Sequence, residues 1–240
     1  MFDHVTIRVS DRTVSERFYA PLFDMLGHAK TTVDEWDDFS FAQGDAPTRR
    51  LHIGFRATSR ELVDTFWRTG VEAGYRDDGP PGPRPQYTPD YYGSFLLDPD
   101  GNSVEAVHYD GMRRDGTIDH LWIRVADLAA AKRFYETIAP LAGFSLRADR
   151  PNRANFGTGN GSFAVVDDGP PTENVHLAFP AATDAAVEAF HSAAVAAGYL
   201  DNGPPGERPV YHRGYYAAFV LDPDGNNVEV VNHRRPTGEG

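Results

Sequence analysis

The chain is written twice. FDHVTIRVSD (Phe2 to Asp11) returns as IDHLWIRVAD (Ile118 to Asp127), so His4 is answered by His120, 116 residues on. RFYAPL and RFYETI keep that spacing. LHIGF and VHLAF, DDGPPGPRP and DNGPPGERP, and YYGSFLLDPDGN and YYAAFVLDPDGN are instead 124 apart, so the second copy has gained eight residues between its first helix and His176. A duplication this complete calls for one fold used twice. It divides the chain into residues 1–112 and 117–235, joined through the Gly-, Asp- and Arg-rich connector YDGMRRDGT (Tyr109 to Thr117).

Within each copy the hydrophobic period changes in a fixed order. Asp3, Val5, Ile7 and Val9 alternate with His4, Thr6 and Arg8, the period of a strand. Val14, Phe18, Leu22 and Leu26 then recur four apart, and Gly27 stops the helix; Phe134, Tyr135, Ile138 and Leu141 before Gly143 repeat this. Short strands follow around Phe39 to Gln43 and Ser162 to Val166. LHIGF or VHLAF leads into a second helix carrying Leu62, Val63, Phe66 and Trp67, or Val187, Phe190, Ala194 and Val195, and two further strands close the copy. Each copy thus reads as two βαβββ units, an α+β fold expected to form an open eight-stranded barrel. In its last hairpin Pro99 or Pro223 presets the first turn corner, and Gly101 or Gly225 takes the positive-φ position.

The same alternation isolates three polar residues. Val175, Leu177 and Phe179 face the helices while His176 faces away; Glu229 lies opposite Val228 and Val230, and His120 alternates with Leu121 and Ile123. A carboxylate in the middle of an apolar strand is costly to leave unpaired. Two imidazoles and one carboxylate match the donor set that binds Fe(II) or Mn(II) with positions left open, and Ni(II) and Zn(II) accept the same donors. With no cysteine in the chain, a metal has only His, Asp and Glu to bind, and thiolate and disulfide chemistry are excluded.

These residues carry a resemblance. DHV and DHL, then HIGF and HLAF, then DPDGNxVE resemble the vicinal oxygen chelate superfamily, which holds glyoxalase I, fosfomycin-resistance enzymes, extradiol dioxygenases and bleomycin-binding proteins. The resemblance spans nearly the whole chain as two tandem modules. It implies metal ligands at His4, His52 and Glu105 in the first half and at His120, His176 and Glu229 in the second. The fourth ligand usual in glyoxalase I falls near Gln43 and Val165, which leaves three per half. VYHRGYYAAFVLDPDGNNVE is similar to the extradiol signature and places His212 as the acid/base histidine, although Phe219 stands where that branch has tyrosine. The first half has Thr88 in place of His212, so the chemistry is expected in the C-terminal half. Tyr211, Tyr215, Tyr216 and Arg208, with Tyr87, Tyr91, Tyr92 and Arg84 in the other copy, are candidate substrate contacts beside the Pro-rich loops.

The resemblance implies a divalent-metal enzyme acting on a small molecule with vicinal oxygens, with extradiol-dioxygenase-like chemistry placed first on the three-ligand set and His212; glyoxalase-type isomerase or lyase chemistry and a drug-sequestering module of the bleomycin-resistance kind are the alternatives. A formal charge of −12 with no basic run disfavours nucleic acid. No apolar run approaches a membrane span, and MFDHVTIRVS starts directly as a strand, so a cytoplasmic protein is expected. The duplication makes the chain an internal pseudo-dimer, with a homodimer a further option. FGTGNGSF reads as a hairpin turn, and NHRRPTGEG as a frayed tail.

Overall fold

In a computed structural model of the protein, residues 1–31, 35–113, 115–159 and 161–234 are described. From residue 235 on, the expected frayed tail lies outside them. The elements run β1 (His4–Val9), α1 (Arg12–Leu26), β2 (Glu35–Trp36), β3 (Phe39–Gln43), β4 (His52–Arg56), α2 (Arg60–Glu72), β5 (Arg76–Pro83), β6 (Tyr92–Leu97) and β7 (Ser103–His108). The second copy continues with β8 (Ile118–Arg124), α3 (Leu128–Ala142), β9 (Ser145–Arg150), β10 (Arg153–Gly157), β11 (Ser162–Val166), β12 (His176–Pro180), α4 (Asp184–Ala196), β13 (Asp201–Glu207), β14 (Tyr216–Leu221) and β15 (Asn227–Asn232).

Local chemistry sets the boundaries. The carboxylates of Asp11 and Asp127 accept the backbone N–H of Val14 and Ala130 and so cap α1 and α3. The last hairpin of each copy is locked by an aspartate: Asp98 Oδ1 accepts the N–H groups of Asp100 and Asn102, and Asp222 does the same for Asp224 and Asn226. One continuous core follows, with Phe18, Tyr19, Phe23, Trp36, Phe39 and Phe55 packed together in the first copy, several of them edge-to-face, and Phe134, Tyr135, Phe156, Phe163 and Phe179 in the second, where Phe156 stacks on Phe163. Each such ring withdrawn from water contributes about 1.5–3 kcal/mol.

The sheets do not follow the copies. One has seven strands in the order β13-β14-β15-β12-β1-β3-β2, the other eight in the order β5-β6-β7-β4-β8-β11-β10-β9. Each therefore joins the first unit of one copy to the second unit of the other, through antiparallel pairing of β1 with β12 and of β4 with β8. Both are open mixed sheets. The expectation of eight strands holds for one; in the other the first unit supplies three strands, because the eight-residue insertion that builds the β9–β10 hairpin has no counterpart there. The segments GPPGP and GPPGE, expected as loops, are the edge strands β5 and β13. An edge tolerates their prolines because its outer side carries no ladder, and the register slips at Gly79 and Gly203. Among the described residues no helix is long and apolar enough to cross a membrane.

Candidate metal centres

Strand exchange regroups the six implied ligands. His52, Glu105 and His120 converge in the eight-stranded sheet and His4, His176 and Glu229 in the seven-stranded one, the donor atoms of each trio lying within 4.8 Å of one another. The grouping by sequence half is thereby corrected: His4 and His120 trade places. The physical reason is register. His120 on β8 sits across from Gly54 on β4, and Glu105 on β7 sits beside Gly54 on its other side, while His52 stands two residues before Gly54 on the same face of β4, so the three side chains rise from two adjacent rungs.

In the first of these centres Nε2 of His52 lies 3.1 Å from Nε2 of His120 and 3.0 Å from Oε2 of Glu105, which is 3.4 Å from Nε2 of His120. The opposite ring nitrogens are engaged elsewhere. Nδ1 of His120 donates to Asp119 Oδ2 at 2.9 Å, and Nδ1 of His52 meets Ser103 Oγ at 3.1 Å, so both Nε2 atoms are directed to the common point. Tyr91 donates its hydroxyl to Glu105 Oε1 and Tyr109 donates to Asp119 Oδ1. Glu105 is 1% exposed. Burial alone would raise its pKa, but the bonds from His120 and His52 hold it below the usual carboxylate range. Burial likewise opposes charge on His120, yet the bonds to Asp119 and Glu105 keep its pKa above the ordinary histidine value. Burial, and then the charge of Glu105, push the Tyr91 phenol far up, so it remains a proton donor. Apart from a metal, the centre is a hydrogen-bonded Asp–His–Glu array. Its two nitrogens and one oxygen face one point, and these donors suit Fe(II), Mn(II), Ni(II) or Zn(II).

This trio forms the base of a cavity of about 420 Å³. Tyr87, Tyr91, Phe95 and Trp122 supply aromatic walls, and Arg124, Arg150, Arg153 and Asn155 line another side. Trp122 stacks edge-on against Tyr87 and His52.

The second centre differs in depth and in support. Nε2 of His176 lies 2.9 Å from Glu229 Oε2 and 3.2 Å from Nε2 of His4. Side-chain exposure is 25% for His4 and 19% for His176, against 11% and 10% for His120 and His52. The floor explains this. Gly54 and Gly93 lie under the first trio, where an added Cβ would meet Nδ1 of His120 at 2.6 Å and would collide with Glu105 Oε1. Ala178 and Ala217 hold the corresponding places in the second centre. Asn227, where the first centre has Ser103, donates its amide N–H to Nδ1 of His176 at 2.6 Å, which places the ring hydrogen on Nε2.

His212 does not reach a ligand trio. Its Nε2 bonds Nδ1 of His233 at 2.8 Å and its Nδ1 lies 2.9 Å from the carbonyl of Arg213. His233 bonds Asp3 Oδ2, and Asp3 bonds Nδ1 of His4, so His212 is the exposed end of a line supporting His4. Tyr215 donates to Glu229 Oε1 at 2.6 Å and belongs to this centre's surroundings, with Tyr211 packed on it and 63% exposed. Tyr216, one residue on and hence on the opposite face, turns to Glu188 on α4; Tyr92 turns to Asp64 on α2. Arg208 and Arg84 donate to the carbonyls of Pro204 and Pro80 in their own loops and lie over Phe219 and Phe95. These arginines brace the edge strands, and neither lines the cavity. Gln43 lies at the far end of β3 opposite Val9, and Val165 is in the core, so neither adds a fourth ligand. Trp122, Arg150, Arg153 and Asn155 had gone unremarked in the sequence. The signal for three of them is the eight-residue insertion itself, with Pro151-Asn152 between two alternating runs.

A family model described as Glyoxalase/Bleomycin resistance protein/Dioxygenase superfamily matches residues 117–230. Among curated proteins none matches. Solved structures share the fold over almost the full length: glyoxalase I from Zea mays at 18% identity, covering 97% of this chain and 92% of that one with a TM-score of 0.65, and a point mutant of it at 0.68 over the same shares. A putative dioxygenase from Bacillus subtilis strain 168 follows at 11% identity, 98% and 85% coverage and a TM-score of 0.64. The C-terminal copy, residues 117–230, thus belongs to the glyoxalase/bleomycin resistance protein/dioxygenase superfamily, and the chain as a whole shares the two-module fold of these solved structures.

Proposed function

We propose that the protein is a divalent-metal-dependent enzyme whose working centre is His52, Glu105 and His120, acting on a small molecule that offers two neighbouring oxygens. The convergence of Nε2 of His52, Nε2 of His120 and Oε2 of Glu105 at the base of the cavity supports this reading. An ion held there would act as a Lewis acid on the substrate oxygens. Asp119 and Ser103 fix the rings so that both Nε2 atoms stay directed inward. Tyr91 ties down one oxygen of Glu105 and leaves the other free. Trp122, Tyr87 and Phe95 narrow the space above the trio and limit the water that reaches it.

Isomerase or lyase chemistry is favoured over ring opening by an acid/base histidine. Thr88 lines the cavity at the position corresponding to His212, and among the described residues the histidines lining it are the two ligands. The test is metal analysis of purified protein, followed by turnover screens over α-ketoaldehydes and epoxides and oxygen uptake over catechols. One to two equivalents of a transition metal and metal-dependent turnover of an oxygen-chelating substrate are expected. Ligand binding that is indifferent to Mn(II), Fe(II), Ni(II) and Zn(II) would replace this reading with that of a sequestering protein.

A further inference from the structure

We propose that the β9–β10 hairpin builds an anion-binding subsite into the cavity, so that the substrate carries a carboxylate or phosphate at the end remote from its chelating oxygens. This rests on the reading of the trio as the working centre.

Arg150 and Arg153 close the hairpin as directly opposed residues of an antiparallel pair, which puts both side chains on one face. Like charges in that position destabilise a sheet. Their neighbours on the other face are relieved, since Asp149 pairs with Lys132 of α3. Among the described residues no carboxylate pairs with Arg150 or Arg153. Arg124 beside them is already committed to Asp168 at 2.9 Å and to the carbonyl of Arg50. In a chain of net charge −12, two uncompensated guanidinium groups held side by side at a cavity are a poor choice for stability and a good one for an anion. Arg153 is held inward, its guanidinium 5.1 Å from the centre of the Trp122 ring. Two residues along β10, Asn155 also lines the cavity, and its buried side-chain oxygen has no hydrogen-bond partner among the described residues.

Register gives the span. Arg153, Val166 and Arg124 stand on one rung; Asn155, Ala164 and Trp122 on the next; Gly157, Ser162 and His120 on the third. Since Arg153 reaches back over Trp122, the anion sits about two residues, or ~7 Å, from the rung of His120 and Glu105. That is the length of a single substituted ring or a short chain. Among the described residues the seven-stranded sheet has no such hairpin, so the subsite serves one centre.

Three probes separate the subsite from the metal: catechol carries only the chelating oxygens, phenylacetate only the anion, and 3,4-dihydroxyphenylacetate both. In the Mn(II)-loaded protein the dihydroxy acid is expected to bind at least about tenfold more tightly than catechol, the scale of a hydrogen-bonded charge pair. In an R150Q/R153Q double variant that advantage disappears and catechol affinity stays. Removing the opposed charges should also raise the thermal midpoint of the ligand-free protein, which shows that the variant folds. Phenylacetate is expected to bind metal-free wild type and not the double variant. That arm holds even if catechol proves indifferent to metal, the outcome that defeats only the metal reading. No preference for the dihydroxy acid over catechol, or a preference that survives in the double variant, overturns the proposal, as does phenylacetate binding that ignores the two arginines.

Discussion

A single methyl group on the floor of the first centre should uncouple the trio. In Gly54→Ala the new Cβ would stand 2.6 Å from Nδ1 of His120 and closer still to its Cε1, against an ordinary contact of 3.4 Å or more, so the ring must retreat by about 1 Å. Metal–nitrogen bonds tolerate about 0.2 Å around their preferred length. The backbone cannot absorb the difference, because Gly54 is bonded into the ladder between β7 and β8. Overpacking of this kind costs about 1–3 kcal/mol, which at 1.4 kcal/mol per factor of ten is about a 5- to 150-fold loss of metal affinity at this centre. Competitive titration of the metal-free protein with a fluorescent chelator reads it directly. Ala178→Gly, the reciprocal change beneath His4, serves as the control and should not weaken binding. If Gly54→Ala takes up metal with wild-type affinity and stoichiometry, the glycine floor is not what sets the depth of the trio and the comparison of the two centres fails.

Cross-copy assembly can be read from coupling. His120→Ala and Glu105→Gln should be strongly non-additive in metal content and in turnover, since either empties the same centre, whereas His120→Ala and Glu229→Gln should add; the reverse pattern would restore grouping by sequence half. Stability should also fall with acidity through His28. Burial, then the nearby Arg56 charge, push its pKa from 6.5 down to about 4 although its ring donates to the Arg56 carbonyl, so the folded state holds it neutral. At 1.36 kcal/mol per unit that contributes about 3 kcal/mol, present above pH 6.5 and lost as the pH falls towards 4; a denaturation series in which His28→Gln leaves this slope unchanged would count against it. Arg113→Ala leaves Asp38, 5% exposed, without its cation at 2.6 Å, and should cost about 3 kcal/mol or more, roughly 10 °C in Tm by calorimetry; a shift under 2 °C would refute it.

The alternation of polar and apolar residues was enough to put His52, Glu105 and His120 on faces turned from the helices, because a strand repeats every two residues whatever it pairs with. Partner choice was not legible. In a duplicated chain β1 meets nearly the same pattern in β4 as in β12, and no local signal separates them; the exchange follows from the connectors and from packing across the whole molecule. Tyr215 and Tyr216 show the same limit at one residue's scale, since the doublet gives no sign of which ring meets the glutamate. His212 failed as a proton carrier at the trio for a different reason. Its own neighbourhood matched the signature, but His233, 21 residues on, occupies the direction in which it would have to point.

The exchange of strands also sets an order in time. His52 and His120 are 68 residues apart, while His4 and His176 are separated by 172, so the first centre lies within one continuous middle stretch and the second needs the two ends of the chain. Closing the longer loop costs about 0.8 kcal/mol more in chain entropy, a small difference beside the kinetic one. During synthesis the cavity centre and its hairpin can assemble once the segment through β11 has emerged, before β12 to β15 exist. The seven-stranded sheet forms last, around a first strand that has waited unpaired on one edge for its partner.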